Sequence, residues 1–153
     1  EEHWAFMDEY GDALIARGPT LTEDGEETTG SLHIVELPDV EAVRAFAYEE
    51  PYFRAGAFES VLLCRFRKHL GSTMWDFTNA VEGYRRYLVL TNDESRPLTS
   101  KHIIMYGDLL GLDDDTHLGR AALVEAPDAA AAAVLVAADV ADVHPWEFGG
   151  RRD

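Results

Sequence analysis

The chain has 153 residues, enough for one compact domain or two small ones. Its 46% apolar residues can build a core, while a formal charge of −16 leaves nothing to neutralise a run of phosphates or an anionic lipid surface. Nucleic-acid and membrane partners are therefore not expected, and no apolar run is long enough to span a bilayer. Cys64 is the single cysteine, so an intrachain disulfide is excluded. In the run SVLLCRF it reads as core rather than as a nucleophile. There is no basic start followed by an apolar signal segment, so the expected compartment is the cytoplasm.

Residues 2 to 17 read as a helix already under way, with His3, Met7, Tyr10 and Leu14 on one face. Gly18 and Pro19 stop it, and a short strand through Pro19 to Leu21 can follow. Residues 22 to 30, TEDGEETTG, form an acidic turn, and SLHIVEL is a strand. In that strand Ser31, His33 and Val35 face one way, and Leu32 and Ile34 the other. Asp39 suits an N-cap for a helix carrying Val40, Val43, Phe46 and Ala47 on one side. Pro51 ends this helix. A strand is predicted over residues 58 to 67, then a connector over 69 to 83 packed through Trp75 and Phe77.

The second half begins with a strand at residues 84 to 91 and a turn. A helix is predicted over 98 to 110, with His102, Tyr106 and Leu109 on one stripe. DDDTH, residues 113 to 117, is a solvated acidic loop without the spacing of a calcium loop. Strand RAALVEA, helix AAAAAVLVAA and strand VADVHPWEF close the chain. GSLHIVELPDVEA and GRAALVEAPDAAA look like one pattern written twice. Gly30 matches Gly119, Val35-Glu36 matches Val124-Glu125, and Pro38-Asp39 matches Pro127-Asp128. An internal repeat of this kind predicts an α+β fold of two tandem ferredoxin-like units. Unit 1 covers residues 1–70, a connector 71–83, and unit 2 residues 84–153. Their antiparallel sheets are expected to pack face to face.

Four pieces in order carry a family resemblance: the helix His in EEHWAFM (His3), the Gly-Pro of RGPT (Gly18-Pro19), the Gly-Ser of GSLHIVE (Gly30-Ser31), and the acid-Pro-Tyr of EEPYFRAGAFESV (Glu50-Pro51-Tyr52). Over residues 1 to about 70 the chain resembles the YciI-like, YCII-related proteins; the second half resembles them more weakly. The resemblance implies a dimeric α+β-barrel type of fold, with a strand before the first helix that is absent from unit 1 here. It also implies a pseudo-dimer within the chain, or a homodimer. The family's histidine and aspartate, a dyad for catalysis, carry over to His3 and Glu50. Here the acid before the proline is Glu, one methylene longer. A carboxylate on one ring nitrogen would fix the tautomer and leave the other nitrogen to take a proton.

Gly18, Pro19, Ser31, His33 and Tyr52 are the expected substrate-binding residues. The Gly18-Pro19 loop would let backbone approach a ligand, and Ser31, at the mouth of a central strand, would bond a substrate oxygen. His33 either lines the pocket or lies between the two sheets, and Tyr52 is as suited to packing as to binding. The second half lacks the Gly-Pro loop and the acid-Pro-Tyr element, and its stretch from His102 to Gly119 is shorter than that from His3 to Gly30. His102 therefore reads as a degenerate copy, with Asp139 a loose partner. No H-E-x-x-H, Cys pair, P-loop, G-x-G-x-x-G or G-x-S-x-G is present, so no metal or cofactor is expected. The expectation is a small-molecule enzyme of proton transfer by elimination, dehydration, dehalogenation or isomerisation, in a biosynthetic setting. A non-catalytic ligand-binding or assembly protein of the same fold is the alternative.

Overall fold

The computed structural model describes residues 14–49, 63–71, 73–78, 80–92, 100–137 and 142–147. In chain order the elements are β1 (Leu14–Leu21), β2 (Thr28–Val35), helix α1 (Val40–Glu49), β3 (Arg65–Leu70), a 3-10 turn (Met74–Asp76), β4 (Arg85–Thr91), β5 (Ile103–Leu110), β6 (His117–Ala126), helix α2 (Ala129–Val136) and β7 (Val143–Trp146). The strands form a single sheet in the order β2-β1-β7-β4-β6-β5-β3. Every neighbouring pair is antiparallel, and the sheet curls into a half-barrel.

The expectation of two sheets packed face to face is corrected here. The first half does not hold a sheet of its own: β1 and β2 lie at one end of the shared sheet and β3 at the other. The four central strands come from the second half. Among them β4 and β5 both run antiparallel to β6, which lies between them. Likewise β6 and β7 both run antiparallel to β4. The order β7-β4-β6-β5 is the strand order of a ferredoxin-like unit, with α2 connecting β6 to β7. Its free edges are satisfied by strands of the first half, which extend the hydrogen-bonded ladder instead of stacking on its face.

Alternation along the central strands builds a core on each face. Tyr87, Val89, Tyr106, Ala122, Val124 and Ala126 pack under α2 with Ala132, Ala133 and Val136. Leu88, Ile104, Met105, Ala121 and Leu123 pack on the opposite face with Ala16, Met74 and Trp146. Because β5 is buried on both faces, IIMYGDLL is apolar apart from Asp108, and such a run cannot separate a buried strand from a helix. This explains the misread helix over 98 to 110. Tyr106 and Leu109 join opposite cores rather than one stripe, and His102 precedes the strand.

Three further boundaries move. Residues 14 to 17, read as the end of a helix, are strand, and Gly18-Pro19 sits inside β1 rather than in a loop. Leu63 and Cys64 precede β3, which runs on into the expected connector through His69 and Leu70. The connector is anchored by Met74, fully buried, whose sulfur accepts from Arg17 N at 3.3 Å. The buried Glu125 carboxylate also holds it, accepting from Val81 N at 3.0 Å. Phe77 packs on that core, but Trp75 is 52% exposed and does not.

The helix starts follow their sequence signals. Asp39 Oδ1 accepts from Ala42 N at 2.8 Å, and Asp128 Oδ1 accepts from Ala131 N at 2.8 Å. Both satisfy backbone donors that the first turn leaves open.

The join between the two halves depends on a glycine. Gly18 has φ of +156°, and a Cβ there would lie 1.7 Å from Glu147 O and 2.8 Å from Trp146 Nε1. Only the absence of a side chain lets β1 approach β7, where Thr20 faces Trp146 and Glu147 N donates to Pro19 O at 3.2 Å. Gly18→Ala is expected to lower stability by about 3 kcal/mol, measured by urea unfolding, because it combines backbone strain with overpacking.

Candidate functional site

The expected catalytic and substrate-binding residues divide between described and undescribed parts of the chain. His3, Glu50 and Tyr52 lie outside the described residues. Gly18, Pro19 and Ser31 come together across β1 and β2, with Gly18 opposite Leu32 and Pro19 opposite Ser31. Ser31 is exposed, on an edge strand rather than the central one expected. The group that approaches the Gly18 backbone is the chain's own β7. The strand faces divide as predicted: Leu32 and Ile34 pack on the core beside Trp146. His33 turns the other way. Its ring meets Phe46 of α1 edge-on, centroids 5.6 Å apart, so it sits under a helix and not between two sheets.

A second constellation, absent from the sequence reading, forms where β3, β5 and β6 run side by side. Asp108 on β5 is paired in register with Arg67 on β3 and with Arg120 on β6. Between Lys68 and Leu70 the β3–β5 register slips, and His69 is the residue at the slip. Such an irregularity re-aims a side chain. His69 Nε2 lies 2.7 Å from Asp108 Oδ2, and Arg67 Nη2 donates to the same oxygen at 3.2 Å. His117 Nε2 stands 3.6 Å from Oδ1. Tyr106 supports the group from β5: its ring centroid is 5.7 Å from that of His69, and the Arg120 guanidinium lies 5.2 Å from the Tyr106 centroid.

Asp108 is buried, and burial by itself would raise its pKa. Hydrogen bonds from His69 and Arg67, the charge of His69 and the nearby His117 outweigh this and hold the carboxyl at about 2. The carboxylate is thus ionised at neutral pH and can only accept, so His69 must present Nε2–H to it. That fixes the tautomer of a neutral His69 and leaves Nδ1 as the lone-pair nitrogen. The cluster was hidden in the sequence because Asp108 fell in a predicted helix and His69 in a predicted connector. The available signal was RFRKH, a cationic run in a strongly acidic chain.

Elsewhere, a shallow groove of about 320 Å³ opens at the end of β3 and the start of β5. Leu70, Phe77, Ile103 and Ile104 make its apolar wall, and Thr73 and Lys101 stand at its polar side. Cys64 is half-buried and burial pushes its thiol pKa up, which suits packing rather than nucleophilic attack. Asp113, Asp114 and Asp115 are exposed, as expected of a solvated loop. Arg65 braces that loop by donating to Gly111 O at 2.9 Å. Among the described residues no group of His, Cys, Asp and Glu is arranged to hold a metal ion, and no helix is long and apolar enough to cross a membrane.

An antiparallel α+β half-barrel with a histidine–carboxylate pair is the class that these observations define. The family model of the YCII-related domain matches residues 1–67, so this part of the chain is similar to the YciI-like family. The match takes in β1, β2 and α1 and ends within β3. No curated protein and no solved structure matches the chain.

The ionised Asp108 has a definite consequence for stability against pH. Its folded pKa of about 2 lies below its ordinary value of 3.8. The stabilisation is therefore complete above the ordinary value and is lost as pH falls towards 2. Asp108→Asn is expected to cost about 1–3 kcal/mol at pH 7. The gap between variant and parent should close in urea titrations repeated at falling pH.

Proposed function

We propose that this protein is a small-molecule enzyme that moves protons without a cofactor, using a histidine oriented by a carboxylate. The observation that carries this reading is the YCII-related match over residues 1–67, which spans both His3 and Glu50. In this reading Glu50 accepts a hydrogen bond from one ring nitrogen of His3, and the other nitrogen takes a proton from a carbon acid or returns one. The reaction is an elimination, dehydration, dehalogenation or isomerisation of a small ring or carbonyl compound in a biosynthetic pathway. Ser31, exposed beside Pro19, would offer a hydroxyl to a substrate oxygen. The charge of −16 supports a small molecule over nucleic acid as the partner. We place the enzyme in the cytoplasm, acting as a pseudo-dimer of its two halves or as a homodimer.

The test is proton exchange in deuterated water with a panel of small carbonyl and halogenated ring compounds, followed by NMR. A substrate should show loss of its C–H signal. His3→Ala should slow the exchange about 100-fold or more, and Glu50→Gln should slow it less, as expected for a base and the group that orients it. Saturable binding with no exchange in the parent protein would favour the ligand-binding alternative.

A further inference from the structure

We infer that the β3–β5–β6 end of the sheet is a proton-transfer site of its own, in which His69 is the base, Asp108 positions it, and Arg67 receives developing negative charge. Its substrates would be small carbon acids whose conjugate base carries its charge on oxygen. Of the site's residues only Arg67 falls within the family match, as its last position, while His69, Asp108, His117 and Arg120 lie beyond it. The site does not depend on the role proposed for His3 and Glu50.

The geometry supplies each part. Asp108 accepts from His69 Nε2 at 2.7 Å, so one ring nitrogen is committed and the ring is held. The His69 side chain is 39% exposed, so Nδ1 can meet a substrate from solvent. Arg67 spends one Nη2 bond on Asp108, while its side chain stays 61% exposed with further donors to offer. A guanidinium is planar and always charged, and it matches an enolate or phenolate oxygen. The groups facing the pair are Arg67 from β3, Tyr106 from β5, and His117 and Arg120 from β6. Asp108 alone carries negative charge among them, so the cluster is locally cationic in an acidic chain. That arrangement draws in a substrate whose charge grows during reaction. The site is open, so it suits a small, flat molecule.

The probe is the elimination of 5-nitrobenzisoxazole, which needs only a base. His69 Nδ1 takes the ring C–H proton, that bond's electron pair completes the nitrile, the N–O bond breaks, and its pair leaves on the phenolate oxygen. The parent protein should exceed equimolar free imidazole by about 100-fold, the lower range for a positioned base. His69→Gln can still donate an amide hydrogen to Asp108 but has no basic nitrogen, so it should keep the fold by circular dichroism and lose the rate. Asp108→Asn should lower the rate about 10-fold. That loss should fall on kcat with KM unchanged, because Asp108 orients the base and does not bind substrate; a purely structural role would disturb both. The same comparison is made in the His3→Ala background, where the part of the rate lost with His69→Gln should persist, which separates the two sites. A parent rate no higher than that of imidazole, or a folded His69→Gln with full rate, would overturn the inference.

Discussion

The structure depends on β6 being able to hydrogen-bond on both edges and pack on both faces at once. Its residues 119 to 126 are buried throughout. It pairs with β4 from Arg85–Ala126 to Thr91–Arg120, and with β5 from Ile103–Val124 to Leu110–His117. Ala122, Val124 and Ala126 feed the core under α2, while Ala121 and Leu123 feed the other. The small alanines let flanking strands and the helix come close, and the period-two alternation forbids any register slip that would exchange the two cores. Asp128, just beyond β6, then caps the helix that covers one of those faces.

Once β6 holds β4 and β5, the remaining strands can only add at the edges. β7 takes the free side of β4, and β1 joins β7 where Gly18 leaves room for Trp146. At the opposite edge β3 joins β5, and Gly107 allows this: a Cβ there would lie 2.3 Å from Arg67 O. The same close approach brings Arg67 and His69 onto Asp108. The candidate chemistry at this end of the sheet is therefore a by-product of edge pairing, assembled from β3 of the first half and β5 and β6 of the second.

The repeated pattern was legible at its helix starts and misleading at its strands. Pro38-Asp39 and Pro127-Asp128 do the same local job, because an Asp side chain two to three residues before free backbone donors satisfies them in any context. Val35-Glu36 and Val124-Glu125 do not. Glu36 is exposed beyond the end of an edge strand, whereas Glu125 is buried in a central one and holds the connector. Strand identity depends on neighbours, and neighbours are not written in the local pattern. For the same reason the faces of β2 were readable from alternation, yet its place at the edge was not.

By itself the sequence determined what rests on nearest-neighbour physics: both Asp caps, the strand at residues 84 to 91, the alternation through Leu32, His33 and Ile34, the polar DDDTH loop, and the YciI-like character of residues 1–67. Only the tertiary structure decided that IIMYGDLL is a strand, that the two halves share one sheet, and that His69 meets Asp108. An apolar run is compatible with either a helix or a strand until a partner strand claims its backbone hydrogen bonds. The pairing of His69 with Asp108 exists only because β3 crosses to the far edge and slips its register there.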